Sequence, residues 1–323
     1  MKQYLLIDIG GTFIKYSLTD AHAQKVSGGK VPTPLTGMDD LLAAIEGFAA
    51  LWKGQFEGCA VSMPGRIDTK RGIAHTGGIL SGFMWEQPFA ALLEQRLGVP
   101  VTIANDGKCA AAAEAWTGSL AGVDNGLVLV LGTGIGGGII LNGRVYMGSH
   151  SAAGEVSNLV TELGSMEGDD FRFEVIGKVA ESPVWAGKAS ASGLIAAYAA
   201  EKQLPAHGPQ PTGEEIFAAY AAEKQLPAHG PQPTGEEIFA AYAAGEPEAC
   251  RALKKFARRV ALGIIGLQSV LDVERVAIGG GISAADALLP AIQTELDDLF
   301  ARCPVFPCWS RSWCAAATAM MPI

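Results

Sequence analysis

The chain has 323 residues, 49% of them hydrophobic and 18% charged, with a formal net charge of −9. That composition suits a globular protein of two ordinary domains and argues against a disordered chain. The acidic balance argues against nucleic acid as a partner, because phosphate backbones select basic surfaces.

The opening, "MKQYLLIDIG", is apolar but meets Asp8 at once, and it has no cleavage-site pattern. No apolar run approaches the roughly 18 residues of a membrane span. Six cysteines without a compact framework fit a reducing compartment. The expected location is therefore cytoplasmic, with no membrane partner.

In chain order, "YLLIDIGGT" reads as a buried strand entering a glycine turn, and "FIKYSLTD" as the returning strand. "MDDLLAAIEGFAALW" has helical spacing with acids in its first turn. "CAVSMPGRID" is a strand ending in a loop, "PFAALLEQRLG" a helix and "PVTIAND" a strand. The alanine-rich helix "GKCAAAAEAW" follows. From Gly126 the strand–glycine–strand pattern starts again in "GLVLVLGTGIGGGIILNGRVY". After a helical region, "RVAIGGGIS" reads as a late strand with a glycine turn. The alternation predicts an α/β fold of two similar lobes, 1–119 and 120–323, with a small-molecule cleft between them.

Three stretches carry chemistry. In "DIGGTFIK", Gly10 and Gly11 bare the backbone to an anion, Thr12 adds a hydroxyl and Lys15 a cation. Asp8, at the strand end, suits Mg²⁺ directly or through water. "LGTGIGGGI" holds five glycines in seven positions from Gly132. It lacks the Gly-Lys-Ser/Thr of a P-loop and the helix of a dinucleotide fingerprint. Two such loops, one per lobe, suggest a grip on one polyphosphate. In "IANDGKCAAAAE", Asp106 at a strand's C-terminal end suits a general base toward a hydroxyl attacking phosphorus. Capping of the following helix by Asp106 or Asn105 is the competing reading.

"DIGGTFIK", "SMPGRID", "IANDGKCAAAAE", "LGTGIGGGII", "AAGEV" and "VAIGGGIS" stand in the order and spacing of the ROK family. The resemblance spans about residue 4 to about residue 295. It implies the actin-like, ribonuclease H-like ATPase fold and an ATP- and Mg²⁺-dependent sugar kinase, expected to be homodimeric. It implies Asp106 as catalytic base and Gly65, Arg66, Asn105 and Glu155 on the sugar side. It also implies Asp8, Gly10, Gly11, Thr12 and Lys15 in the first phosphate loop, Gly132, Thr133 and Gly134 in the second, and Gly280 near the nucleotide. The acceptor implied is the 6-hydroxyl of a hexose, glucoside or N-acetylhexosamine. Family repressors usually carry an N-terminal helix-turn-helix segment, whereas this sequence opens on the first strand.

Two departures from the family stand out. Asn158 occupies the place of a family histidine, and no cysteine lies between Glu155 and Ile195. No structural zinc is therefore expected, and the resemblance leans toward β-glucosides. The end, "CPVFPCWSRSWCAAATAMMPI", replaces an Asp-Ala-x-Leu-x-Gly-Ala-type helix. With Ala319 encoded GCA, a one-base shift through the two methionine codons restores Asn-Asp-Ala-Asn, which suggests a frameshifted ending.

Residues 196–217, "AAYAAEKQLPAHGPQPTGEEIF", recur verbatim as residues 218–239. Diverged solenoid repeats do not look like this, so the pattern indicates a recent in-frame duplication. Thr212 and Glu215 resemble a capping box, and "EEIFAAYAAGEPEACRALKKF" after the second copy's Gly235 reads as a new helix. One copy is expected to dock natively and the other to bulge outward.

Overall fold

The glycine turn at Gly10–Gly11 folds the first apolar run back on itself, and the rest of the first unit grows from that hairpin. The computed structural model describes residues 2–22, 24–132, 134–161, 184–202, 234–302 and 317–319. These divide into two compact units. One holds Met1–Cys109 and Met147–Ala153; the other holds Ala110–Tyr146 and the described residues from Gly154 onward.

In the first unit, strands β1 (Gln3–Ile9), β2 (Phe13–Asp20) and β3 (Lys25–Pro32) form an antiparallel meander. Helix α1 (Met38–Ala49) then carries the chain across to β4 (Cys59–Met63), which pairs parallel to β1. A parallel neighbour requires such a crossover. A small hairpin, β5 (Ile67–Asp68) with β6 (Ile73–Ala74), leads to the short helix α2 (Ser81–Met84) and to α3 (Phe89–Leu97). Strand β7 (Val101–Asn105) closes the sheet, whose order is β3-β2-β1-β4-β7.

The inward faces of these strands supply the core. Leu5, Ile7 and Ile9 alternate along β1, as a half-buried strand should, and meet Leu41, Leu42, Ile45 and Phe48 of α1. Tyr16 stacks on Phe48 at 4.0 Å between ring centroids. Helix α4 (Asp106–Trp116) begins in this unit, and the division of the chain falls within it.

The second unit repeats the plan. Strands β8 (Gly126–Leu131), β9 (Ile135–Leu141) and β10 (Arg144–Val145) form the meander. Strands β11 (Arg275–Gly279) and β12 (Ala317–Ala319) add in parallel, giving the order β10-β9-β8-β11-β12. Between them stand α5 (Trp185–Ala189), α6 (Ala191–Glu201), α7 (Gly235–Ala243), α8 (Pro247–Leu271) and, after β11, α9 (Leu288–Arg302). Helix α8 buries Ala249, Leu253, Phe256, Val260 and Ile264, a three-to-four-residue stripe facing its neighbours.

The polar, glycine-bearing "KVSGGKVP", which carries no alternating apolar pattern, is strand β3. The helix expected from Glu236 onward is two helices, because Gly245 adopts φ +76° and Pro247 starts the next helix afresh. The capping box of the second repeat copy forms at Thr234, whose side chain accepts from the Glu237 N–H while Glu237 accepts from the Thr234 N–H. The first copy's Thr212 and Glu215, and most of the question of which copy docks, lie outside the described residues, as do 162–183 and most of the tail. Among the described residues no helix is long and apolar enough to cross a membrane.

Candidate functional site

Three adjacent parallel strands of the first unit end side by side, and in α/β sheets ligands bind at such carboxyl ends. Register places Asp8 of β1 opposite Ser62 of β4, and Met63 opposite Asn105 of β7. The Ser62 hydroxyl donates to Asp8 Oδ1 at 3.0 Å. Lys15, opposite Asp8 across the hairpin, lies 3.8 Å from Oδ2 with 71% of its side chain exposed. A pair so exposed adds little stability, so what it contributes is a cation at the rim.

The hairpin turn is tied at both ends. The Gly10 N–H donates to the Phe13 carbonyl at 3.0 Å. The Thr33 hydroxyl donates to the Gly10 carbonyl at 2.7 Å, and the Thr33 N–H donates to that of Thr12. A Cβ on Gly11 would meet nothing closer than Ile79 at 3.7 Å. The fold therefore does not require glycine at position 11; a bare backbone beside open space suits an approaching anion.

Gly65 is different. Its φ of +103° and a Cβ position only 2.4 Å from the Thr76 carbonyl oxygen leave no room for a side chain. The turn it makes is clamped on two sides. The Arg66 N–H donates to Thr76 Oγ1 at 2.8 Å, the His75 N–H donates to the Arg66 carbonyl, and Asn105 Nδ2 donates to the Gly65 carbonyl at 2.9 Å.

The structure separates the roles of Asn105 and Asp106. Asn105 is buried and caps α4, its Oδ1 accepting from the Lys108 N–H at 3.2 Å. Asp106 is exposed at the first helical position, where Oδ1 accepts from the Gly107 N–H. Cys109, one turn into the helix, has its thiol pushed up to about 11, chiefly by burial and further by the carboxylates of Asp106 and Asp8. The Ser62 hydrogen bond and the Lys108 ammonium oppose that rise.

In the second unit the turn between β8 and β9 carries Gly132 and Gly134, with the Gly132 N–H donating to the Gly134 carbonyl at 3.0 Å. Thr133 lies outside the described residues. A Cβ on Gly132 would meet nothing within 4 Å, so here too the fold does not require glycine. The Ala191 N–H at the start of α6 donates to the Gly132 carbonyl at 2.8 Å. Gly280 closes on the same strand end: at φ +100° its Cβ would lie 2.3 Å from the Leu131 carbonyl oxygen. Glu155 is half-buried and follows Gly154, whose carbonyl oxygen lies only 2.3 Å from where a Cβ on Gly137 would be.

Sequence reasoning missed four residues that build these sites: Thr33, Ser62, Lys108 and Ser157, whose hydroxyl bonds both backbone groups of Ile135. Ser62 carried one signal, a polar residue inside an apolar strand. Thr33 and Ser157 become visible only through contacts distant in sequence, and Lys108 only once its burial is seen. Among the described residues no group of three or more histidine, cysteine, aspartate or glutamate side chains is placed to hold a metal.

Comparison with known proteins matches residues 4–310 to the ROK family. A β-glucoside kinase of Listeria monocytogenes serovar 1/2a is 36% identical over 155 residues, covering 48% of this chain and 52% of that protein. An N-acetyl-D-glucosamine kinase of Vibrio vulnificus is 33% identical over 159 residues, with the same coverage. The chain thus spans about half the length of the curated relatives it matches. The solved structure of the Lmo2764 protein from Listeria monocytogenes is 27% identical, with a TM-score of 0.74 over 98% of this chain and 92% of that one. With its two α/β units and a family match over nearly its whole length, the chain belongs to the ROK family.

Proposed function

We propose that the protein is an ATP- and Mg²⁺-dependent sugar kinase that phosphorylates a hexose or hexoside, most simply at its 6-hydroxyl. The observation that carries this is the division of labour at the end of β7. Asn105 Oδ1 takes the capping bond from the Lys108 N–H, and Asp106 stands exposed at the first helical position, its Oδ1 accepting from the Gly107 N–H. In the reaction Asp106 takes the proton of the sugar hydroxyl as that oxygen attacks the γ-phosphorus and the bond to the ADP oxygen breaks. Gly65 and Arg66 present the sugar-side turn, Asn105 keeps one Nδ2 hydrogen beyond its bond to Gly65, and the family resemblance assigns Glu155 of the second unit to a sugar hydroxyl.

Each unit offers bare backbone suited to phosphate, at Gly10–Thr12 with Lys15 adding charge in the first, and at Gly132 and Gly134 with Gly280 beside the same strand end in the second. Mg²⁺ suits a half-exposed carboxylate such as Asp8, oriented by Ser62 and paired at Oδ2 with the exposed Lys15 at 3.8 Å; Asp8 would hold the ion through water. Such an ion neutralises charge on the polyphosphate. The relatives named above act on β-glucosides and on N-acetyl-D-glucosamine. With Asn158 at the family's histidine position, the reading extends to glucose-configured substrates with a substituent at the anomeric carbon.

The test is ADP release in a coupled assay over glucose, cellobiose, N-acetylglucosamine, N-acetylmannosamine and fructose. Sugar-dependent release with at least one of them is expected. Sugar binding without any release would replace the kinase with a sugar-sensing module.

A further inference from the structure

Lys108 stands two residues after Asp106 and is only 2% exposed. A lysine is seldom buried so fully, because its ammonium loses water. It also lies in the first turn of α4, where the helix dipole disfavours a cation. A methionine or leucine would fill that volume at lower cost. The position therefore needs a local reason.

That reason is visible around Asn105. Lys108 Nζ lies 3.4 Å from Asn105 Oδ1, and the Lys108 N–H donates to the same oxygen at 3.2 Å. With two donors on Oδ1, the carboxamide has one acceptable orientation; flipped, it would present an NH₂ group to an ammonium. In that orientation Nδ2 points to the Gly65 carbonyl, 2.9 Å away. The Gly65–Arg66 turn, already held by Thr76 and His75, is thereby tied to the strand end that carries Asp106.

The geometry points to Lys108 as a positioning residue for the sugar side of the site: its buried ammonium locks the Asn105 carboxamide and, through it, the Gly65–Arg66 turn beside Asp106. This rests on the kinase reading of the same site. Lys108 acts through Asn105 and is assigned no contact with substrate.

The test is Lys108→Met, which keeps the side chain as far as Cε and removes the charged Nζ. The KM for sugar should rise about tenfold or more, because a turn displaced by a fraction of an ångström loses hydroxyl contacts. The KM for ATP should stay within about twofold. A sugar KM within about twofold of the unsubstituted protein, or sugar and ATP KM values rising together, overturns the proposal. If Lys108→Met does not fold, Lys108→Gln is judged by the same split.

A second readout is independent of activity. Hydrogen exchange at the Asn105 carboxamide, followed by NMR, should be at least about tenfold faster in Lys108→Met. Unchanged exchange also overturns the proposal. If the unsubstituted protein phosphorylates no sugar, the kinase reading fails, and the exchange measurement still decides the role of Lys108.

Discussion

Gly65 holds φ at +103°, with the Thr76 carbonyl oxygen 2.4 Å from where a Cβ would stand. Gly65→Ala should therefore lower stability by about 2 kcal/mol, from backbone strain and the clash together, and raise the sugar KM. A denaturation midpoint within error of the parent would contradict this. Gly11 and Gly132 have no comparable steric reason to be glycine. Gly11→Ala should leave the midpoint nearly unchanged while raising the KM for ATP. The two kinds of glycine look alike in sequence and separate only once neighbouring atoms are placed. The thiols make a chemical prediction. Burial pushes Cys59 up to about 12 and Cys109 up to about 11. The reactive thiolate of each is therefore scarce at pH 8. Iodoacetamide at that pH should modify both at least about tenfold more slowly than a free cysteine peptide, as peptide mass spectrometry would show.

Helix α8 shows what periodicity conveys and what it leaves out. Its buried stripe is readable from the spacing of Leu253, Phe256, Val260 and Ile264. Its packing on α5 is not. Trp185 is fully buried, donates Nε1–H to the Arg259 carbonyl at 2.9 Å, and lies where a Cβ on Gly263 would come within 2.1 Å of its ring. Gly263→Ala should cost about 1–3 kcal/mol by overpacking, read from thermal or denaturant unfolding. At α7 the capping box at Thr234 repeats the pattern legible at Thr212. The break at Gly245–Pro247 was legible too, in a glycine followed closely by a proline, but helical spacing on both sides masked it. Strand β3 was hidden because its residues are mostly exposed and two are glycine. Its place comes from pairing with β2, which the local sequence does not encode.

Across the whole molecule, two sheets follow one plan, and each places a glycine hairpin at the end of its first strand. The motif residues were legible because strand ends and glycine turns are local features. The supports of Asp8 and Asn105 were not, because Ser62 and Gly65 lie 54 and 40 residues away in the chain. The tandem repeat bears on the same scale. Helix α6 ends within the first copy and α7 starts within the second. Lys202, just after α6, pairs with Glu246 at 2.8 Å, beside the turn that ends α7. Helix α7 is only about 13 Å long, and the ten steps from Lys202 to a single copy's Thr212 can reach about 33 Å. One copy is enough to close the connection. Deleting 22 residues to leave a single copy should thus keep kcat and KM within about twofold, because loop closure changes by only about 0.6 kcal/mol per doubling of length. A loss of activity on deletion would show that the second copy is structural. The most direct test of the central claim is Asp106→Asn in the coupled ADP-release assay with the best sugar. If Asp106 is the general base, kcat should fall by roughly 10²–10⁴-fold with the unfolding midpoint little changed. Turnover close to that of the unsubstituted protein would contradict the assignment.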